Sequence, residues 1–145
     1  PVLAMLAWRL DTPSRRVEAQ AAVGARLAHA VDPHLPLPGR VMATRTYWLF
    51  PVLAVDPEAA ITRLRAAGFD ATTGASSLGA VAAPPERPQA VAPHAAWIAT
   101  HLLFVPCYPE LPASAIHRLA TVLVEEGRRR PLHRPMVSHR PGTAA

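Results

Sequence analysis

At 145 residues, half of them hydrophobic, the chain has the length and apolar content for one domain with a buried core, which excludes a wholly disordered segment. Its fifteen cationic side chains outnumber ten acidic ones, for a formal net charge of +5. All fifteen are arginine, so no side chain can form a Schiff base with a carbonyl compound.

The charge is unevenly placed. Residues 1–126 carry ten arginines and ten acids, whereas 127–145 carry Arg128, Arg129, Arg130, Arg134 and Arg140 and no acid. This stretch, GRRRPLHRPMVSHRPGTAA, has no apolar period and reads as a flexible basic tail. Charge could draw it to nucleic acid or a membrane surface, but no aromatic residue interleaves with its arginines to stack on bases. A solvated end is the plainer reading, and nucleic acid is not the expected partner. One cysteine, Cys107, rules out an internal disulfide and makes a reducing compartment, the cytoplasm, the default. No apolar run approaches the roughly 18–20 residues of a membrane span, so no membrane role is expected. The opening PVLAMLAWRL has no basic region before it and reads as part of the fold. A chain that begins at Pro1 without a methionine is expected to be a fragment or a processed product.

In chain order, PVLAMLAWRL is compatible with a helix that places Leu3, Leu6, Ala7 and Leu10 on one side. Residues 13–31 form the next expected helix. Thr12 suits the N-cap and Pro13 the first helical position, and Val17, Ala21, Gly24, Leu27, Ala28 and Val31 share a face. DPHLPLPG at 32–39 punctuates. Residues 41–55, VMATRTYWLFPVLAV, predict a strand, apolar on both faces from Tyr47 onward. Pro51 would either interrupt it or lie where its donor side is unpaired.

DPEAAITRLRAAG is the clearest local signal: Asp56 caps, Pro57 opens the helix and Gly68 stops it. Ile61 and Leu64, with Ala60 and Ala67, mark its buried face, and Arg63 and Arg65 are expected in solvent. FDATTG predicts a short strand. Residues 74–93 read as a loop with a brief strand around Leu78–Ala82, then come a short helix over 94–101 and a buried strand LLFV. An amphipathic helix from Pro112 to about Glu126 places Ile116, Leu119, Ala120, Leu123 and Val124 at helical spacing. The predicted fold class is α+β, a small mostly antiparallel sheet with helices packed on one side, preceded by one or two linker helices.

The residues that could carry chemistry form no complete set. Cys107 would need a base or a helix N-terminus to become a nucleophile, and no Cys/His signature accompanies it, so a packed thiol is the expectation. His94 and His101 are seven apart, His133 and His139 lie in the tail, and no pair has zinc-site spacing, so no metal is expected. GASSLG lacks the spacing of a phosphate loop, although its hydroxyls and amides could line a pocket. Arg45, beside Thr44 and Thr46, could pair a carboxylate or phosphate. An edge-exposed arginine is the commoner case.

Several stretches together resemble one family. WRL (8–10), PLPGRV (36–41), RTYWLFPVLAVDPEAAITRLRAAGFDATTGASSL (45–78) and FVPCYPELP (104–112) look like the C-terminal part of DegT/DnrJ/StrS-type aminotransferases, over about residues 5–126. The resemblance implies linker helices over 1–40, an α+β small domain over 41–126 and the basic tail over 127–145. It implies that this is one domain of a pyridoxal-phosphate enzyme, with the large domain and its cofactor-binding lysine before Pro1. This chain would bind no cofactor by itself, carry no catalytic residue and shape the substrate side of the cleft. The parent would be a homodimer acting on a small-molecule substrate.

In the family, the loop after GFDAT approaches the substrate, which makes Thr73, Ser76 and Ser77 pocket candidates; Arg45 is a further candidate on its own local grounds. That loop here reads TTGASSL, without the His-Tyr pair that many sugar aminotransferases carry. The alternative is a stand-alone α+β module that binds a ligand or a protein. A domain cut from a larger protein should also expose an apolar patch, with Trp8 and the first helix's stripe as candidates.

Overall fold

The computed structural model describes residues 3–5, 13–74 and 79–132. Residues 3–5 are helical, and the elements that follow are α1 (Pro13–Val31), β1 (Phe50–Leu53), α2 (Pro57–Ala66), β2 (Thr72–Thr73), α3 (Pro93–His101), β3 (Leu102–Val105) and α4 (Ala113–Arg129). The strands form one antiparallel sheet in the order β1-β3-β2. The fold class is therefore the α+β arrangement expected.

Each element has a local cause. Asp56 caps α2, its Oδ1 accepting from the Ala59 N–H at 3.0 Å, and Pro57 fills the first turn, where no donor is needed. Gly68 ends that helix with φ +86°, a left-handed conformation that costs a residue with a Cβ on the order of 1–2 kcal/mol. The chain then doubles back, and the Phe69 N–H bonds to the Leu64 carbonyl at 2.9 Å.

Core and sheet follow from the pleat. Phe50 and Val52 face the same side of the sheet as their partners Val105 and Leu103. These four join one apolar cluster with Val23, Leu27 and Val31 of α1, Ile61 and Leu64 of α2, and Leu119 and Leu123 of α4. Three helices thus cover one face. Helix α3 buries no residue and lends nothing to that cluster. Leu53 and Leu102 are buried on the other side, while Pro51 and Phe104 are only half covered there.

The strand expected over 41–55 is shorter than its composition implied. Only Phe50–Leu53 pair, because residues 39–42 close a turn (the Met42 N–H bonds to the Gly39 carbonyl at 3.0 Å) and Tyr47 has φ 52°, which breaks an extended run. Pro51 lies within β1 without interrupting it. β1 is an edge strand, so the missing N–H leaves no partner unmet.

Four further expectations change. Val17 is 48% exposed, and the buried stripe of α1 begins at Val23. Arg63 does not point to solvent; it is half buried and ion-paired with Glu126 of α4. Helix α4 runs three residues past Glu126 and buries both Glu126 and Gly127, so Arg128 and Arg129 belong to its last turn, where cations suit the helix dipole. Residues 79–82 form no strand, and Leu78 lies outside the described residues.

Candidate functional site

Several polar side chains line a cleft of about 260 Å³ between the second half of α1 and the segment that leads to β1. Ala25, Ala28, His29 and Asp32 form one wall, and Leu37, Arg40, Arg45 and Tyr47 the other. The turn at Gly39 reverses the chain so that Arg40 returns over the end of α1, and its Nη2 lies 2.9 Å from Asp32 Oδ2. The Arg45 guanidinium lies over the Tyr47 ring, 4.9 Å from its centroid.

Tyr47 is fixed from several directions. Its ring stacks on Phe50 at 5.6 Å between centroids and occupies the space over Gly24, where any Cβ would collide with it. Its carbonyl accepts from Gln20 Nε2 at 2.8 Å, and the same amide nitrogen donates to the Cys107 carbonyl. One side chain on α1 thereby ties the approach to β1 to the exit from β3. Tyr47 is a non-glycine residue with positive φ, held in that strained conformation by contacts from α1 and β1.

Of the sequence-derived pocket residues, Arg45 and Thr73 are not brought together. Arg45 is half buried and precedes the edge strand β1, whereas Thr73 lies on β2 at the opposite edge, in register with Leu103 and half buried. Ser76 and Ser77 lie outside the described residues. Asp32, Arg40 and His29 were not singled out from sequence. Their only signal was the Gly39–Arg40 step within a punctuated stretch, which does not say which helix the turn folds onto.

A second cleft, of about 370 Å³, is more apolar. It is lined by Pro36, Leu37, Gly39, Arg40, Val41, Leu53, Trp97, Ile98 and Leu132. Nearby, His101 stacks on Trp97 at 4.4 Å, and its Nδ1 is 2.8 Å from the Trp97 carbonyl and 3.0 Å from Thr100 Oγ1. His101 is thus engaged within its own helix. Among the described residues no three His, Cys, Asp or Glu side chains are grouped to hold a metal ion.

Cys107 is buried, and burial pushes its thiol up to about 11. That is the opposite of what a nucleophile needs, so the packed reading holds. Asp56 moves the other way: the Ala59 N–H, then Arg130 at 2.7 Å, hold its carboxyl below the usual value.

The three-stranded antiparallel sheet with its covering helices is a known arrangement: it is the fold of part of the DegT/DnrJ/EryC1/StrS-type aminotransferases. A DegT DnrJ EryC1 StrS aminotransferase from Brucella abortus superimposes with a TM-score of 0.66 at 14% identity, covering 81% of this chain and 33% of that one. The aminotransferase TlmJ from Streptoalloteichus hindustanus gives 0.65 at 18%, over 85% and 34%. DesV from S. venezuelae gives 0.67 at 21%, over 87% and 36%. At these identities the likeness is one of fold, and this chain spans about a third of the length of the solved proteins it matches. No protein-family model matches the chain, and neither does any curated protein.

Proposed function

We propose that this chain is the C-terminal small domain of a pyridoxal-phosphate-dependent aminotransferase-family protein, shaping the substrate side of the cleft and inactive alone. The observation that carries the reading is the extent of the match. Most of this chain, 81–87% of it, superimposes on about a third of three separate aminotransferases. The absence of lysine agrees: pyridoxal phosphate does not fit this chain by itself, because no residue here can hold it as an imine. The residues that bind it belong to a large domain on the amino-terminal side.

In this reading the parent is a cytoplasmic homodimer that acts on a small-molecule substrate. Thr73 and the loop after it, with Ser76 and Ser77, face that substrate. The exposed apolar side chains Val41, Met42, Trp48 and Leu49 fit a domain with a neighbour to lean on, being 95, 61, 81 and 50% exposed. Leu3 and Met5 are also exposed, and Trp8 lies outside the described residues. A second reading, a stand-alone ligand-binding module, is favoured by the cleft at Arg45.

The coding frame on the amino-terminal side tests the choice. The first reading expects a lysine-bearing domain about twice the length matched here. The long protein should show pyridoxal-phosphate absorbance that this chain alone lacks. A frame with no such domain overturns the proposal.

A further inference from the structure

Helix α1 is covered unevenly along its length. Val17, Gln20, Ala21 and Gly24 follow one another at helical spacing on one face. The Tyr47 ring lies over Gly24, and Val23, Leu27 and Val31 belong to the core. Val17, nearer the amino-terminal end of the same helix, is 48% exposed.

More uncovered apolar surface is tied to that end. Gln20 Nε2 donates to the carbonyls of both Tyr47 and Cys107, so Trp48 and Tyr108, which follow them, both leave from one point on α1. Arg16 Nη2 lies 3.1 Å from Glu110 Oε1, which keeps the segment after β3 against the first turns of the helix. Trp48, Leu49 and Tyr108 are 81, 50 and 46% exposed. Covering an aromatic side chain removes about 150–250 Å² from water, so with Val17 and Leu49 this set reaches the few hundred Å² at which an apolar patch marks an interaction.

The position of the patch selects its occupant. A segment that precedes Pro13 enters α1 close to Gln20, about 10 Å away along the axis at 1.5 Å per residue. A domain joined there stands at an effective concentration of about millimolar over the patch, which a separate copy of the chain does not match. The solved proteins of this fold have about two thirds of their length outside the part matched here.

We infer that Val17, Trp48, Leu49 and Tyr108 form the seat of the preceding domain of the same polypeptide, with Trp48 as the main anchor. The inference rests on the reading of this chain as a carboxy-terminal small domain.

Hydroxyl-radical footprinting read by mass spectrometry tests it, on this chain alone and on the long protein. Modification follows exposed area, so Trp48 and Tyr108 should react at least about fivefold more slowly in the long protein. Val81 and Val91, which lie between β2 and α3 and are 86 and 62% exposed, should react equally in both. Trp48→Ser should leave the thermal midpoint of this chain unchanged and lower that of the long protein, whereas Val91→Ser should change neither. A photo-crosslinking benzoylphenylalanine in place of Trp48, in long protein co-refolded from ¹⁴N and ¹⁵N forms, should give cross-links of a single label to residues before Pro1. Equal reactivity of Trp48 in both forms, an unchanged midpoint for Trp48→Ser in the long protein, or mixed-label cross-links, which assign the patch to a second copy, each overturn the inference and leave the functional reading standing. A coding frame without a preceding domain overturns both.

Discussion

Cys107 and Asp56 show how placement alone sets the chemistry of a side chain. Burial lifts the Cys107 thiol to about 11, from an ordinary value of 9.0, so the folded protein resists its ionisation. Its stabilising contribution is complete below the unfolded value and is lost as pH rises through the interval from 9.0 to about 11. Iodoacetamide labelling should therefore be slow at pH 8 in the native protein and fast once urea unfolds it. Cys107→Ser should flatten the alkaline slope of stability while keeping the fold. Fast labelling of the native protein would instead mean an accessible thiolate.

Asp56 has the opposite sign. Its folded value is held down, first by the Ala59 N–H and then by Arg130. Its contribution is present above the unfolded value of 3.8 and is lost as pH falls through the lower folded value. Asp56→Ala should remove both the cap and this acid dependence, lowering the thermal midpoint at pH 7 and narrowing the gap to the parent at pH 2. Asp56→Asn should keep most of the cap but lose the acid slope.

At the scale of elements, contact distances between backbones decide more than propensity does. Gly24 lies inside α1, where alanine would ordinarily gain about 0.5–1 kcal/mol. Its Cβ would collide with the β- and ring carbons of Tyr47, and overpacking costs about 1–3 kcal/mol. Gly24→Ala should thus destabilise in urea titrations, and a stabilised variant would show that Tyr47 can move aside. Gly68→Ala should also destabilise, for a different reason: nothing lies near its Cβ, but its φ is +86°.

Much of this level was legible in the chain. Asp56-Pro57 and Gly68 bracket α2, and LLFV is β3 to the residue. The segment before β1 was not, because Tyr47 and Trp48 have strand propensity whatever their φ. Only the ring's seat over Gly24 and the Gln20 bond to its carbonyl hold Tyr47 out of the strand.

At the scale of the molecule, Arg63 and Glu126 join α2 to α4 through a partly buried ion pair. Glu126 keeps only 6% of its side chain exposed. Removing Arg63 leaves the buried Glu126 carboxylate uncompensated, which costs up to about 3–5 kcal/mol, whereas replacing both by apolar residues is often near neutral. Arg63→Met should therefore destabilise more than the double change Arg63→Met with Glu126→Leu, as read from chemical denaturation. Equal losses would mean that the pair adds nothing beyond its volume. A second link, Arg130 to Asp56, closes the end of α4 onto the start of α2, so both contacts tie the same two helices.

The sequence by itself determined the composition of the core, the helix boundaries that rest on caps, prolines and glycines, and the lack of any imine-forming lysine. These depend on residue type and short-range spacing. Tertiary structure decided what long-range closure controls. It paired Arg63 with Glu126 and folded Arg40 back onto Asp32. It also put Thr73 on the edge strand β2, on the far side of β3 from β1 and the segment that carries Arg45. Which edge a strand occupies, and which helix a turn returns to, is set by packing among segments far apart in the chain, and no local pattern of residues encodes it.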